Sequence, residues 1–293
     1  MWYHGCIIKK AVKVMIQDIE PHVYSNEYKI KKPSKDSVVL YYRDHMCLIK
    51  KKDDTIQFPL FKDLEKRCSN IYENAIYLFA IDNKEFYLVE DAEVELQKEF
   101  NMEDIFVFRN AHPHYMSFAG VTGFQLFNWY KDHVYCGRCG EKLVKDKSER
   151  MLFCNKCHNM VFPKLCPAVI IAVTDKDRIV LSKYAGGPYK KYALLAGYSE
   201  IGETLEETVK REVFEETGLR VNNIRYYKSQ PWSFSDSVLM GFFCDLEGDD
   251  SITIQENELS FAGWFERNDI PVEPTNDSLT NEMIMAFKNG MEI

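Results

Sequence analysis

The chain has 293 residues, of which 46% are hydrophobic, so it is long enough for about two domains that each bury a core. Its formal net charge of -8 argues against a general nucleic-acid-binding protein, because such proteins bind phosphates mainly through Lys and Arg. No apolar run reaches the roughly 20 residues that span a bilayer, and the first residues, MWYHGCIIKKAVKV, lack the pattern of a secretory signal. We therefore expect a globular protein of the cytoplasm, without a membrane partner.

Residues 1–130 alternate short apolar segments with polar turns, which predicts an antiparallel, β-rich N-terminal domain. The segments that carry this pattern are SVVLYY, CLIKK, AIYLFAI and EFYLVE. Apolar residues at helical spacing between Ala119 and His133 predict a connecting helix at the end of this domain. We interpret the lysines of residues 29–35 and 50–52 as solvated surface, and no catalytic motif stands out in this region.

Two CxxC pairs follow, separated by fourteen residues: Cys136, Cys139, Cys154 and Cys157. This spacing is typical of a four-cysteine zinc ribbon, here predicted over residues 131–163 with one Zn²⁺ per chain. Four protein ligands leave no open position, so the ion is expected to be structural. The alternatives are a redox CxxC or four unrelated thiols. The neighbouring His133 and His158 are not expected to be ligands, and Gly137 and Gly140 are expected to permit the tight turns.

The nine cysteines of the chain are an odd number in a long sequence, and four of them have metal-type spacing. Reduced thiols are therefore a better interpretation than disulfides.

Residues 164–293 have a mixed α/β pattern, with buried strands at PAVIIAVTD and RIVLSKY, an amphipathic helix at ETLEETVKREVFEETG and another strand at SVLMGFFCDLEG. On that helix, Glu212, Glu215 and Glu216 stand at i, i+3 and i+4, so their carboxylates share one face within about 6 Å. A divalent cation relieves the repulsion of such like charges, and hard oxygen ligands suit Mg²⁺ or Mn²⁺. Arg211 is placed to hold one carboxylate, and Gly218 to end the helix. The alternative is an ordinary solvated acidic helix.

The other face of this helix presents Leu205, Val209 and Val213, which are expected to pack into the core.

The helix and the turn before it resemble the Nudix box, Gx5Ex7REUxEExGU, at every defined position. The box is filled by Gly197, Glu203, Arg211, Glu212, Val213, Glu215, Glu216, Gly218 and Leu219. The resemblance implies a Nudix α/β/α sandwich over residues 164–293 and hydrolysis of a nucleoside diphosphate linked to another group. The expected fold class is thus α/β (α+β), with the sandwich preceded by the ribbon and the β-rich domain.

Residues 229–237, SQPWSFSDS, resemble the SQPWPFPxS signature of NADH pyrophosphatases, which implies hydrolysis of NAD(H) to NMN(H) and AMP. Ser233 and Ser235 stand where that family usually has prolines. An amide such as that of Gln230 is able to bond a base edge or ribose, and Trp232 and Phe234 offer stacking surfaces. The alternative is a strand whose rings fill core. The substrate-binding residues implied here are Gln230, Pro231, Trp232, Ser233, Phe234, Ser235, Asp236 and Ser237.

The same resemblance implies further roles. Ala196, through its backbone carbonyl, and Glu258 join Glu212, Glu215 and Glu216 at the Mg²⁺ or Mn²⁺ ions, while Arg211 assists and Glu215 or Glu216 acts as the base. Tyr198 and Phe162 supply rings that sandwich a base. Glu149, Thr280 and Arg109 match substrate-contacting positions, although an ordinary surface role suits them equally. A homodimer with a shared base pocket is also implied.

Two alternatives to hydrolysis of free NAD(H) remain open from the sequence. The same chemistry removes NAD caps from RNA 5′ ends, because the broken bond is identical. A non-catalytic regulator that senses a nucleotide is the other alternative, although all the glutamates of the box are present.

Overall fold

A computed structural model describes residues 15–66, 68, 70–90, 99–186, 190–275 and 278–292. The chain forms two compact units. The N-terminal unit consists of residues 19–167 and 231–238, and the C-terminal unit consists of the described parts of residues 15–18, 168–230 and 239–292. The predicted domain boundaries at residues 130 and 163 stay a prediction.

In its described residues, the N-terminal unit before the ribbon has eight strands and two helices. They are β1 Tyr24–Ser25, β2 Val38–Leu40, β3 Tyr42–Arg43, β4 Met46–Lys52, β5 Thr55–Gln57, α1 Phe61–Leu64, β6 Ala75–Ile81, β7 Lys84–Val89, β8 Asn101–Asp104 and α2 His114–Asp132, with a 3-10 helix at Ile105–Arg109. One sheet has the order β1-β6-β7-β2, and in a second sheet β3, β4 and β5 are consecutive while β8 pairs with β4. The prediction of a β-rich region is confirmed.

The expectation of purely antiparallel pairing is wrong, because β2 runs parallel to β7. The predicted connecting helix is present as α2, but it begins at His114, five residues before the predicted start. Pro113 is its N-cap residue, a position near the helix start where a missing backbone N–H does no harm.

The ribbon is a small antiparallel sheet of three strands in the order β11-β10-β9. Their bounds are β9 Val144–Lys145, β10 Leu152–Phe153 and β11 Met160–Val161.

The remaining elements are β12 Cys166–Asp175, β13 Arg178–Tyr184, β14 Leu195–Tyr198, α3 Leu205–Thr217, β15 Val221–Trp232, β16 Ser237–Leu246, β17 Leu259–Glu266 and α4 Leu279–Lys288, with a 3-10 helix at Arg267–Asp269. The sheet order is β15-β16-β12-β13-β17, and β14 pairs with β12.

The two faces of this sheet pack against different helices because side chains alternate along a strand. Val169 and Ile171 of β12 share a buried cluster with Val209 of α3. Ile170 of the same strand lies in a second cluster with Met283 of α4. A helix on each face of the sheet is the predicted α/β/α sandwich. Within the described part of the chain, each helix is too short or too polar to cross a membrane.

Candidate active site

Helix α3 has fixed ends, which sets the direction of every side chain on it. At its start, Thr204 Oγ1 accepts a bond from the Glu207 backbone N–H at 3.2 Å, and Glu207 Oε2 accepts from the Thr204 N–H at 2.8 Å. This reciprocal pair is a capping box. At its end, Gly218 adopts a left-handed conformation with φ of 72°, as expected for a glycine cap.

The carboxylates of α3 differ in burial. Glu212 and Glu216, one turn apart, are 8% and 2% exposed, whereas Glu215 faces solvent. Val209 and Val213 are fully buried, as predicted for the core face. Two of the three glutamates therefore point into the protein and one points out.

Gly197 of β14 explains how a buried carboxylate fits beside the sheet. A Cβ atom on this residue would lie 1.9 Å from the carboxyl carbon of Glu212. The Glu212 carboxylate thus rests directly on the backbone of the first glycine of the box, and any side chain at position 197 would displace it.

Arg211 binds three carboxylates, where the sequence predicted one. Its Nε and Nη2 donate to the two oxygens of Glu203 at 2.6 and 2.9 Å. Its Nη1 donates to Glu212 at 2.6 Å and to Glu215 at 3.0 Å, and Nη2 also reaches the carbonyl of Tyr198 at 3.0 Å. Because the guanidinium fork is rigid, this one side chain fixes the positions of three glutamates relative to the turn before the helix.

Glu203 is held from a second side as well. Thr208 donates its hydroxyl to Glu203 Oε2 at 2.9 Å, and the Glu200 backbone N–H donates to the same oxygen at 3.1 Å. The Arg211 guanidinium lowers the pKa of Glu203 to about 2. Sequence reasoning missed Thr208, although its position four residues before Glu212 puts it on the same buried stripe of the helix.

Glu216 is the least satisfied of these groups. Among the described residues, no hydrogen-bond partner faces its buried Oε2 atom. Burial, followed by the nearby charges of Glu212 and Glu258, raises the pKa of Glu216 to about 8, while a backbone hydrogen bond from Ala196 acts in the opposite direction. Burial raises the pKa of Glu212 too. An ionised Glu216 at this position requires a compensating cation.

The other predicted residues of the C-terminal unit lie in different settings. Tyr198 and Glu258 are exposed, and Thr280 is half-buried in α4. Gln230 is completely buried, and its side-chain oxygen accepts a bond from the Leu279 N–H in the first turn of α4 at 2.8 Å. Its predicted contact with a base or ribose stays a prediction.

The rest of the SQPW motif belongs to the N-terminal unit. The Phe234 ring stacks on Phe106 at 5.6 Å and contacts Trp232 at 5.2 Å, and the Arg109 guanidinium lies 5.5 Å from the Trp232 ring centre. Arg109 and the two aromatic residues of the motif thus form one group, to which the structure adds the exposed Phe106. Nothing in the local sequence around Phe106 indicated this role.

The remaining candidates of the N-terminal unit are polar or exposed. Asp236 accepts a bond from the Cys166 N–H through its backbone carbonyl at 2.7 Å, and Ser235 and Ser237 share a hydroxyl contact at 3.0 Å. Phe162 and Glu149 both face solvent. Pro231 is exposed and Ser233 is buried, and their roles stay predictions.

The four ribbon cysteines converge, with every pair of their sulfur atoms within 4.8 Å. In the described parts of the chain, no other set of three or more His, Cys, Asp or Glu ligand atoms is this tight, so the glutamates of α3 are more widely spread. Cys136 lies 3.6 Å from Cys157 and Cys139 lies 3.5 Å from Cys154, measured between sulfurs. This arrangement fits a single tetrahedral ion.

Each of the two CxxC turns, called the knuckles of the ribbon, ends at a residue with a left-handed backbone conformation. Gly140, with φ of +73°, donates its N–H to the Cys136 carbonyl, and His158, with φ of +58°, donates its N–H to the Cys154 carbonyl. His158 therefore takes the place that Gly140 has in the first knuckle. The expectation for Gly137 is wrong, because its φ is not positive. His133 Nδ1 lies 2.7 Å from the Trp129 carbonyl, at the end of α2.

Backbone N–H groups of the knuckles favour thiolates before any ion binds. The Arg138 N–H lowers the pKa of the Cys136 thiol to about 6, and the Cys157 N–H lowers the pKa of Cys154. A thiolate is the form that binds Zn²⁺, so these N–H groups favour the ligand form of Cys136 and Cys154. The Glu141 N–H acts in the same direction on Cys139, but burial and the neighbouring thiols raise the pKa of Cys139 to about 12.

Comparisons with known proteins agree with this geometry. The NUDIX domain model matches residues 164–287, and the NADH pyrophosphatase zinc ribbon domain model matches residues 131–162. The NAD-capped RNA hydrolase NudC of Klebsiella pneumoniae is 37% identical over 172 residues, which is 59% of this chain and 66% of that protein. The protein of the same name from Pectobacterium atrosepticum is 38% identical over 162 residues, covering 55% of this chain and 62% of that one.

The aligned part of this chain thus spans less than two thirds of the length of these curated relatives. Among solved structures, a NUDIX hydrolase from Nitrosomonas europaea matches with a TM-score of 0.45 and 24% identity, over 53% of this chain and 90% of that one. The box helix fixes its glutamates through Arg211, and both domain models match in sequence order. This chain therefore contains an NADH pyrophosphatase zinc ribbon domain followed by a Nudix domain.

Proposed function

We propose that this chain is a divalent-metal-dependent hydrolase of the diphosphate bond of NAD(H), giving NMN(H) and AMP. The observation that carries the proposal is the Glu216 carboxylate, buried beside Glu212 with one oxygen that has no partner among the described residues. A second buried carboxylate beside it raises the electrostatic cost of ionising either group. A divalent cation with oxygen-rich ligands removes that cost.

The residues present fit such an ion. Glu212, Glu215, Glu216 and Glu258 are the side chains that would hold it, together with the backbone of Ala196. An all-oxygen set of this kind favours Mg²⁺ or Mn²⁺ over softer metals. When bound, the ions supply neutralisation of the charge that develops on the diphosphate and acidification of the attacking water.

The chain itself supplies positioning and a base. Arg211 keeps Glu215 and Glu212 in fixed directions, so no reorganisation is needed when substrate arrives. We assign the proton acceptor to Oε of Glu215 or Glu216. Burial raises the pKa of Glu216, whereas Glu215 is accessible to solvent.

The NADH specificity rests on the SQPW motif and its neighbours. The Trp232, Phe234 and Phe106 rings, with Arg109 beside them, form an aromatic group of the type that accepts a planar base. Tyr198 and Phe162 present exposed rings, and Gln230, Ser235, Asp236, Ser237, Glu149 and Thr280 complete the proposed substrate contacts.

A second candidate substrate is NAD-capped RNA, which is favoured by the name of the two relatives, NAD-capped RNA hydrolase. The broken bond is the same in both substrates. We also propose a homodimer, a structural Zn²⁺ in the ribbon and a cytoplasmic location. The location is supported by the eight described cysteines, which form no disulfide among themselves, because reduced thiols persist in the cytosol.

The test is a panel of NADH, NAD⁺, ADP-ribose, diadenosine polyphosphates and an NAD-capped oligonucleotide, each incubated with enzyme and Mn²⁺ or Mg²⁺, with the products separated by chromatography. We expect AMP and NMNH from NADH. Glu216→Gln should lower kcat by orders of magnitude at unchanged zinc content, whereas Glu206→Gln, an exposed glutamate on the same helix, should not. Equal turnover in both variants, or no product from any dinucleotide, would overturn the assignment.

A further inference from the structure

A cleft of about 700 Å³ lies within the N-terminal unit, lined by the ribbon, the end of α2 and the strands β3 and β7. This volume is in the range of pockets that hold small organic ligands. All of its lining residues belong to residues 41–152. The cleft contains none of the Nudix box or SQPW residues.

The rim of the cleft is basic. Arg43, Lys131, Lys142 and Lys145 line it, and all four are exposed. Two acidic residues also line it, and both are paired with rim lysines: Asp44 with Lys131 at 3.1 Å and Glu90 with Lys145 at 3.7 Å. Ion pairs as accessible to solvent as these contribute little stability, so an incoming anion competes with Asp44 and Glu90 for the same lysines.

The ribbon that lines the cleft carries a net positive charge, whereas the chain as a whole is negatively charged. Residues 131–164 contain eight Lys and Arg but only four Asp and Glu, whereas the whole chain has 37 and 45. A local excess of cations in an acidic protein is what an anion-binding surface requires. The basic rim is therefore not a consequence of overall composition.

The floor of the cleft is aromatic. The Phe127 ring stacks against Tyr42 at 5.3 Å, and Lys131 Nζ lies 5.6 Å from its centre. Lys145 Nζ lies 5.6 Å from the Tyr130 ring. Cations placed over aromatic rings beside an apolar wall combine phosphate attraction with a surface for a planar base.

We propose that this cleft binds a nucleoside phosphate, with the phosphate on Lys142 and its neighbours and the base against the apolar floor. The chemistry has two possible sources, a free mononucleotide or the nucleotides of an RNA chain. This inference does not depend on the proposed hydrolysis, because it concerns binding alone.

Lys142→Ala tests the proposal, with Lys147→Ala as its control. Both lysines are exposed and lie in the ribbon, but only Lys142 lines the cleft. Each substitution removes one positive charge. Because both side chains are exposed, zinc content and Tm should stay unchanged in both variants. Lys145→Ala, on the same rim, provides an independent repeat in case Lys142→Ala alters the fold.

Binding is measured by fluorescence anisotropy of an uncapped ten-nucleotide RNA with a 5′-monophosphate, at several salt concentrations. Lys142→Ala should raise Kd roughly fivefold and reduce the slope of log Kd against log salt by about 0.7, the contribution of one phosphate contact on a single strand. Lys147→Ala should change Kd by less than about twofold. If both variants change Kd alike, or neither does, the cleft is not the site.

Competition then distinguishes the sources. If AMP displaces the RNA, and if the affinity for AMP is lower in Lys142→Ala, the cleft is a mononucleotide site. Displacement only by longer oligonucleotides indicates a site for an RNA chain. Equal displacement by inorganic polyphosphate, which has no base, would overturn the nucleoside part of the proposal.

Discussion

At the scale of single residues, Glu216 connects pH, metal binding and stability. One oxygen of this buried carboxylate has no partner in the part of the chain that the structure describes, so the group is stable only if a proton or a cation joins it. Protons and divalent ions therefore compete for the same oxygens, and either one is able to satisfy this side chain. The same residue is the proposed centre of catalysis.

The stability of the protein without added Mg²⁺ or Mn²⁺ should fall as pH rises from 5 to 8. The folded-state pKa of Glu216, about 8, lies above its unfolded value of 4.5, so between these values the unfolded chain has released a proton that the folded chain keeps. Unfolding therefore becomes easier with pH, by at most about 1.4 kcal/mol per pH unit from this group. Tm measured by calorimetry across this range checks it.

Glu216→Gln should remove this part of the slope because glutamine has no titrating proton. Mn²⁺ should stabilise the wild-type protein more at pH 8 than at pH 5, since fewer protons compete for the site. A wild-type slope identical to that of the variant contradicts the assignment.

Gly197→Ala should disable the site while the fold survives. The added methyl group would occupy the place of the Glu212 carboxyl carbon, so the carboxylate must move. We expect a loss in NADH turnover of roughly a hundredfold or more, of the size seen when a positioned catalytic group is lost. The matched control is Gly186→Ala, where the new Cβ meets no atom of the described residues within 4 Å. Similar steady-state kinetics for both variants would exclude a role for this contact.

At the scale of elements, the box is a rigid assembly of a turn and a helix. The capping box at Thr204 and the left-handed Gly218 set the length of α3, and Arg211 connects that helix to Glu203 and to the Tyr198 carbonyl of β14. Three carboxylates keep their directions because one guanidinium donates to all of them.

Arg211→Lys distinguishes the effect of the rigid guanidinium contacts from the effect of the positive charge alone. A lysine keeps the positive charge but loses the fork that binds both oxygens of Glu203. We expect kcat for NADH to fall roughly tenfold or more with little change in KM, because the glutamates lose their fixed directions. Arg220→Lys, at an exposed position just after the helix, is the control. Full activity of Arg211→Lys would mean that charge alone suffices.

The local sequence predicted most of these elements but few of the contacts between them. The strands of β6 and β12 and the helix α3 were visible because alternation and 3.6-residue spacing are local properties. The parallel pairing of β2 with β7 was not visible, because it joins residues more than forty positions apart. The same limit applies within the site. The spacing predicted one partner for Arg211, while the fold supplied three.

Gln230 and His158 show the same limit in individual residues. The amide of Gln230 looks available in the sequence, yet the start of α4 takes its oxygen. The sequence assigns His158 no role at the zinc ion, yet its backbone closes the second knuckle in a conformation that usually selects glycine. Only tertiary structure distinguishes these roles.

At the scale of the whole molecule, the ribbon should be a stability element and take no part in the chemistry. Cys154→Ser should abolish the binding of one Zn²⁺ per chain and lower Tm, because a four-thiolate zinc site contributes folding free energy. Cys166→Ser, outside the cluster, should keep the zinc and the Tm. Elemental analysis with thermal melting checks both. A zinc-free variant with an unchanged Tm contradicts the structural role.

The claim on which the account rests is that the carboxylates of α3 bind divalent cations. Its most direct test is a Mn²⁺ titration followed by electron paramagnetic resonance, in which only free Mn²⁺ gives the sharp signal, on zinc-loaded wild-type protein, Glu216→Gln and Glu206→Gln. We predict that the wild type and Glu206→Gln bind Mn²⁺ alike and that Glu216→Gln binds it at least about tenfold more weakly, as loss of a charged ligand requires. Equal Mn²⁺ binding by all three proteins would contradict the account.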